Sequence, residues 1–207
     1  MITTIAIPCM DTVQTLFFGS MMKLKWNKDV RMIYVCSSLV YDARNMLANT
    51  ALHSDADRVL WLDSDMVFEP DIVERLGADI DDEHQFVAGL YFTRKAPLHP
   101  CVYSVVEDVS TDPEKVVPHT VAYDDYPRDA LFEIGGCGFG AVMMTVGLLR
   151  RVCMAYPQPF YPLLGFGEDF SFCLRARQLG FKLWCDSRVK VGHAGVSIIN
   201  EDTWKGR

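Results

Sequence analysis

The chain has 207 residues, half of them apolar and 23% charged, with 14 Gly, 10 Pro, 7 Cys and a formal net charge of −7. Such a chain makes one domain that buries about 70% of its unfolded surface without disulfide or metal staples, which excludes disorder. An acidic chain without a Lys/Arg run speaks against nucleic acid as a main partner, and no apolar stretch nears the roughly 20 residues that span a bilayer.

Residues 2–7 are a β-branched run before Pro8, the first expected strand. Asp11 is placed to cap a helix whose apolar residues, Val13, Leu16, Phe17, Met21 and Leu24, recur with helical period. Residues 30–36 are strand-like, and Ser37-Ser38 opens a loop. Residues 42–52 carry Ala43, Leu47 and Ala51 on one side of a helix. A compact apolar strand is expected at 59–62, a helix at 71–76 just after Pro70, and another strand at 86–91. This β-α-β-α-β-α-β order predicts a Rossmann-like, mostly parallel sheet flanked by helices on both faces.

Beyond residue 97 the pattern turns antiparallel. Strands are expected at 101–106 and 119–123, separated by an acidic, Pro-containing loop, then at 131–134 and 141–145 with a short helix after them. Residues 156–167 form a loop rich in Pro and aromatics. Residues 168–179 have helical period, with Phe170, Leu174 and Arg177 on one side, and stop at Gly180. Late strands follow at 181–185 and 188–191. No repeat or linker divides the chain, so one α/β domain with a smaller antiparallel part in its second half is expected. The seven cysteines are scattered and never in CxxC spacing, the usage of a reducing compartment. The N-terminus lacks the basic segment and apolar core of a secretory signal, so a cytoplasmic protein without a transmembrane segment is expected.

Asp-x-Asp occurs at Asp55/Asp57, Asp63/Asp65 and Asp79/Asp81, and chance alone gives about two such pairs in a chain so rich in Asp. Context singles out Asp63-Ser64-Asp65, which directly follows the strand at 59–62. In open α/β sheets ligands bind beyond the carboxyl ends of the strands. Two carboxylates one residue apart there suit a hard divalent cation such as Mg²⁺ or Mn²⁺; they equally suit an acidic turn that caps the next helix. Glu168 and Asp169 begin a helix, where the macrodipole favours acids by about 0.3–1 kcal/mol. The loop before them, with Tyr156, Phe160, Tyr161 and Phe166 between Pro and Gly residues, suits a sugar platform, a water-excluding lid or an apolar loop packed on the core. The run from Gly136 to Ala141 nominally fits GxGxxA. It lies after antiparallel strands with no acid about 20 residues on, which excludes a Rossmann cofactor.

The stretch Asp42-Ala43-Arg44-Asn45-Met46-Leu47-Ala48, followed by Val59-Leu60-Trp61-Leu62-Asp63-Ser64-Asp65-Met66, resembles the ARN-then-DxD signature of family-2-type glycosyltransferases with the GT-A fold. Ile5-Ala6-Ile7-Pro8 is similar to that family's first strand and nucleotide-side loop, and Gly167-Glu168-Asp169 resembles its ED motif. His193 stands where many GT-A enzymes supply a third metal ligand. The resemblance implies one GT-A-like domain over 1–207, with a nucleotide-sugar and metal half at 1–95 and an acceptor half at 96–207. It implies metal-dependent sugar transfer from a nucleotide-diphosphate sugar, a UDP-sugar favoured, to a hydroxyl of a carbohydrate or other acceptor.

By the same resemblance Asp65 and His193 hold Mn²⁺ or Mg²⁺, with Asp63 close to the ribose or the metal. Pro8, Asp11, Arg44 and Ser64 lie on the donor side. Asp169 is the base of an inverting transfer, Glu168 aids acceptor binding, and Gly136, Phe166 and Gly167 line the acceptor cleft. The basic QxxRW motif of several members is absent. A retaining transferase would share the DxD. A nucleotidyltransferase would carry a Gly-rich basic loop in place of Pro8-Cys9-Met10-Asp11-Thr12. A catalytically silent carbohydrate- or nucleotide-binding protein would have little reason to keep Asp63, Asp65 and Asp169 together.

Overall fold

The computed structural model describes residues 1–112, 115–195 and 200–205, so Pro113 and Glu114 of the acidic loop lie outside the described residues. The first part of the chain forms β1 (Thr3–Cys9), α1 (Thr15–Lys23), β2 (Val30–Cys36), α2 (Val40–Leu52), β3 (Arg58–Leu62), β4 (Met66–Val67), α3 (Ile72–Ala78) and β5 (Phe86–Leu90). The second forms β6 (Val102–Asp108), β7 (Pro118–Ala122), β8 (Leu131–Ile134), β9 (Gly136–Cys137), β10 (Ala141–Thr145), α4 (Val146–Ala155), α5 (Glu168–Gln178), β11 (Leu183–Lys190), β12 (Gly192–His193) and α6 (Glu201–Lys205).

Seven strands build the central sheet in the order β2-β1-β3-β10-β5-β11-β8. Strands β2, β1, β3, β5 and β11 run one way; β10 is inserted antiparallel between β3 and β5, and β8 pairs antiparallel with β11. The antiparallel part of the second half is a three-stranded sheet, β7-β6-β9, and β12 pairs with β4. Among the described residues no helix is long and apolar enough to cross a membrane.

The central strands are apolar throughout because both of their faces are covered. Their alternating side chains sort into two cores. Val59, Trp61, Val142, Met144, Phe86 and Ala88 pack with Leu47, Ala51, Leu149 and Phe172 of the helices on one face. Leu60, Leu62, Met143 and Val87 pack with Phe17, Met21, Ile72 and Leu76 on the other. Phe160 of the aromatic loop belongs to the first core. It is fully buried, stacks on Phe172 with ring centroids 4.6 Å apart, and meets Trp61 at 5.0 Å. Its backbone N–H donates to Asn45 Oδ1 (3.1 Å), and Arg175 donates to Pro159 O (2.7 Å). Of the alternatives for this loop, packing on the core is the one realised at Phe160.

Three local expectations are corrected. β1 does not stop at Pro8 but continues to Cys9, paired with β2; β3 pairs with β1 only as far as Ala6, so a residue without a donor is tolerated on the side left open. Asp11 does not cap α1. The helix begins at Thr15 with Gln14 at its N-cap, because Gln14 N–H is taken by Ser64 O (3.1 Å), and Val13 and Leu16 stay exposed while Phe17, Met21 and Leu24 are buried. The late strands are one strand, β11, with an irregularity between Asp186 and Lys190. On the expected side of α5, Phe170 meets Tyr103 of β6 at 4.8 Å and Arg177 donates to Val106 O at 2.8 Å, while Phe172, Cys173 and Ala176 of the same helix are buried in the core.

Where α3 ends against β11, Arg188 bridges Asp79 (2.9 Å) and Asp186 (2.7 Å). Burial and the neighbouring Asp186 push Asp79 up to about 6, above its ordinary 3.8. Protonation therefore favours the fold: this contribution is fully present below the ordinary value and is lost as pH rises through about 6. Asp79→Asn is expected to flatten that dependence and, allowing for solvent screening, to stabilise the protein by about 1 kcal/mol at pH 7.5. Urea melts at pH 4 to 8 measure both effects; an unchanged slope would show that Asp79 is not the titrating group.

Candidate active site

The co-directional strands β1, β2 and β3 end along one edge of the sheet, and α2 and the start of α5 face the same place. Between them lies a cavity of about 350 Å³ lined by Pro8, Met10, Ser37, Ser38, Arg44, Asp63, Ser64, Asp65, Glu168 and Asp169, among others. After β3 the chain turns sharply: Asp63 N–H donates to Gly140 O and Met66 N–H to Asp63 O, both at 3.1 Å. That turn presents the Asp63 and Asp65 carboxylates to the cavity.

Arg44 organises the carboxylates. It is 1% exposed, and its Nη2 lies 2.9 Å from Asp63 Oδ1 and 3.4 Å from Asp169 Oδ1, with Nε 3.7 Å from Glu168 Oε1. The guanidinium also lies over the Phe139 ring, 5.2 Å from its centroid. Burial alone would lower the pKa of Arg44, but Asp63, Asp169 and Glu168 raise it beyond its ordinary value, so it stays charged. One cation does not satisfy three acids. Burial pushes Asp63 up to about 6 and Asp169 up to about 8; Arg44 opposes this in both, and the neighbouring carboxylates add to it.

The pairing of β12 with β4 sets His193 opposite Met66, which brings the imidazole to Asp65: Nε2 is 3.5 Å from Asp65 Oδ2, and Ala194 N–H donates to Asp65 O at 2.8 Å. His193 Nδ1 is 2.9 Å from Phe92 O. A carbonyl only accepts, so Nδ1 donates to it, which leaves Nε2 as the ring nitrogen directed at Asp65. Arg94, which sequence reasoning missed, reaches in from the loop after β5; its Nη1 is 2.8 Å from Asp65 Oδ2. Its only signal was position, a basic residue just past the carboxyl end of a buried strand. Asp65 Oδ1 and Asp169 Oδ1 are buried with no hydrogen-bond partner.

The structure thus gathers Pro8, Arg44, Asp63, Ser64, Asp65, Glu168 and Asp169 around one cavity, with His193 at its Asp65 side. It does not gather the others. Asp11 is exposed and lines a neighbouring apolar groove. Gly136 is buried in β9, where a Cβ would run into Val106. Phe166 is buried and lines a separate cavity with Leu163 and Leu174. Gly167 is the N-cap of α5, its carbonyl accepting from Ser171. The glycines that matter near Asp169 are Gly138 and Gly140, where a Cβ would collide with Tyr91; Gly140 N–H donates to the Tyr91 hydroxyl at 3.2 Å. Among the described residues no group of three or more His, Cys, Asp or Glu side chains is disposed to hold a metal ion.

No protein-family model and no curated protein sequence matches the chain. Solved structures do resemble it. A197 from STIV is similar over 97% of this chain and 94% of its own, with a TM-score of 0.70 and 18% identity. S. aureus TarS 1–349 is similar over 90% of this chain and 60% of its own, with a TM-score of 0.50 and 12% identity. A longer S. aureus TarS gives a TM-score of 0.53 at 12% identity, over 90% of this chain and 35% of its own. At such identities the likeness establishes architecture: the chain has a GT-A-like α/β fold, with a carboxylate-lined cavity where its co-directional strands end.

Proposed function

We propose that the protein is an inverting glycosyltransferase that moves a sugar from a UDP-sugar to an acceptor hydroxyl. The observation that carries this reading is the convergence of Asp63, Glu168 and Asp169 on buried Arg44, with Asp65 lining the same cavity, at the ligand-binding edge of a GT-A-like sheet. Asp65 has a buried oxygen without a partner, and His193 Nε2 faces the same carboxylate, so an oxygen and an imidazole nitrogen stand together where Mn²⁺ or Mg²⁺ would bind. A cation held there would neutralise the leaving diphosphate.

The chain's own residues do the rest. Pro8, Met10, Ser37 and Ser38 form the wall that receives the nucleoside. Arg94, half-exposed on its loop, can leave Asp65 for the donor phosphates. Asp169, whose pKa burial raises to about 8, takes the acceptor hydroxyl's proton as that oxygen attacks the anomeric carbon and the bond to the diphosphate breaks. Glu168 orients the acceptor.

Thermal melts with UDP or GDP, with and without Mn²⁺, test this. UDP with Mn²⁺ is expected to stabilise the wild type by roughly 2.7 kcal/mol at 100 times its dissociation constant, and Asp65→Ala to abolish the gain. If no nucleotide stabilises the wild type with any divalent cation, the reading falls.

A further inference from the structure

Cys9 closes β1, Cys36 closes β2, and the two are register partners in adjacent parallel strands. Directly paired residues of parallel strands point their side chains to the same side of the sheet, and here the two sulfurs face each other, Sγ to Sγ at 3.2 Å. Neighbouring strands lie about 4.8 Å apart, inside the range of Cα separations that a disulfide spans. The pair is asymmetric: all seven cysteines lie among the described residues, and of them only Cys36 is exposed, while Cys9 is buried. β2 is an edge strand of the sheet, so solvent reaches Cys36 directly.

We propose that Cys9 and Cys36 form a modification site, closing an intramolecular disulfide when the protein meets hydrogen peroxide. The exposed Cys36 thiolate attacks the peroxide oxygen, giving the Cys36 sulfenic acid and releasing hydroxide. The Cys9 sulfur then attacks the Cys36 sulfur; the S–O bond breaks, the S–S bond forms, and the Cys9 proton leaves with the oxygen as water. Two thiols lose two electrons and two protons, and the peroxide becomes two waters. Burial, together with the adjacent Cys36, holds Cys9 up at about 11, which makes Cys36 the first group oxidised and Cys9 the resolving thiol. The contact between the sulfurs compensates for the small thiolate fraction of Cys9.

The bond joins two walls of the candidate site. Cys9 lines the carboxylate cavity between Pro8 and Met10, and Ser37, whose N–H donates to Cys9 O at 3.0 Å, lines it from the first position after β2. The strand register and the sulfur contact are independent of sugar transfer.

The test treats the folded chain with stoichiometric hydrogen peroxide, quenches, denatures, alkylates and digests with trypsin. Titratable thiols are expected to fall from seven to five, with the tryptic peptides 1–23 and 32–44 joined and dithiothreitol restoring both thiols. The oxidised protein is expected to melt roughly 5 °C higher. Cys36→Ser should leave Cys9 alkylatable after the same treatment. Should that variant fail to fold, Cys9→Ser serves instead and should leave Cys36 oxidised but unlinked. Recovery of Cys9 as a free thiol beside an over-oxidised wild-type Cys36, or links from Cys36 to another chain, would overturn the proposal.

Discussion

Asp169→Asn is expected to cut sugar transfer by roughly a thousandfold while leaving nucleotide-dependent stabilisation in place, since a positioned general base contributes about 10²–10⁴-fold. The amide keeps the size and one acceptor oxygen of the acid but takes no proton. The wild-type profile should show the same group. Because burial, Glu168 and Asp63 raise Asp169 to about 8, kcat/KM should climb with pH through that value as the base ionises. Stability should run the opposite way. A carboxyl whose native pKa lies above its unfolded value supports the fold in its protonated form, so stability is lost as pH rises through about 8. Asp169→Asn should remove that loss and melt higher than the wild type at pH 9. A variant that keeps more than a tenth of the wild-type rate would show that the base lies elsewhere.

Arg44→Met should destabilise the protein by about 3–5 kcal/mol at pH 7.5, the range for removing one partner of a buried ion pair. Methionine fills much of the volume over Phe139 but leaves Asp63, Glu168 and Asp169 facing one another without a cation. The deficit should shrink toward pH 5, where the acids take up protons, and in the Arg44→Met/Asp169→Asn double variant. Urea denaturation at both pH values, run as a double-mutant cycle, measures it. A deficit under 1 kcal/mol at pH 7.5 would mean that the carboxylates are held apart by something other than Arg44.

The features of this fold that were legible in the sequence are those written in local period. The alanine face of α2, the run that becomes β3 and the acids just past its end could each be placed from spacing, and position relative to a strand separated Asp63/Asp65 from two other Asp-x-Asp pairs. What could not be read depends on partners far away in the chain. An arginine within a helix looks solvent-exposed; the burial of Arg44 follows only from three acids that other segments bring to it. Arg94 belongs to no periodic pattern. At Pro8 and Asp11 strong local rules lost to tertiary ones: a ladder open on one side of β1, and a Gln14 amide already bonded to Ser64. Strand order has no local signature, which is why nothing announced that β10 would separate β3 from β5.

That interposed strand has a consequence for the chain as it is made. β3 and β5 are complete once Leu90 has been synthesised, yet the strand that joins them begins only at Ala141. At about 5–20 residues per second, the ribosome needs roughly 3–10 s to cover the interval. Throughout it, two of the most apolar strands of the molecule have unpaired amides on the sides that will later face β10. A nascent chain in that condition is a substrate for chaperones and a hazard at high expression, and slowing synthesis after residue 90 should lower its soluble yield.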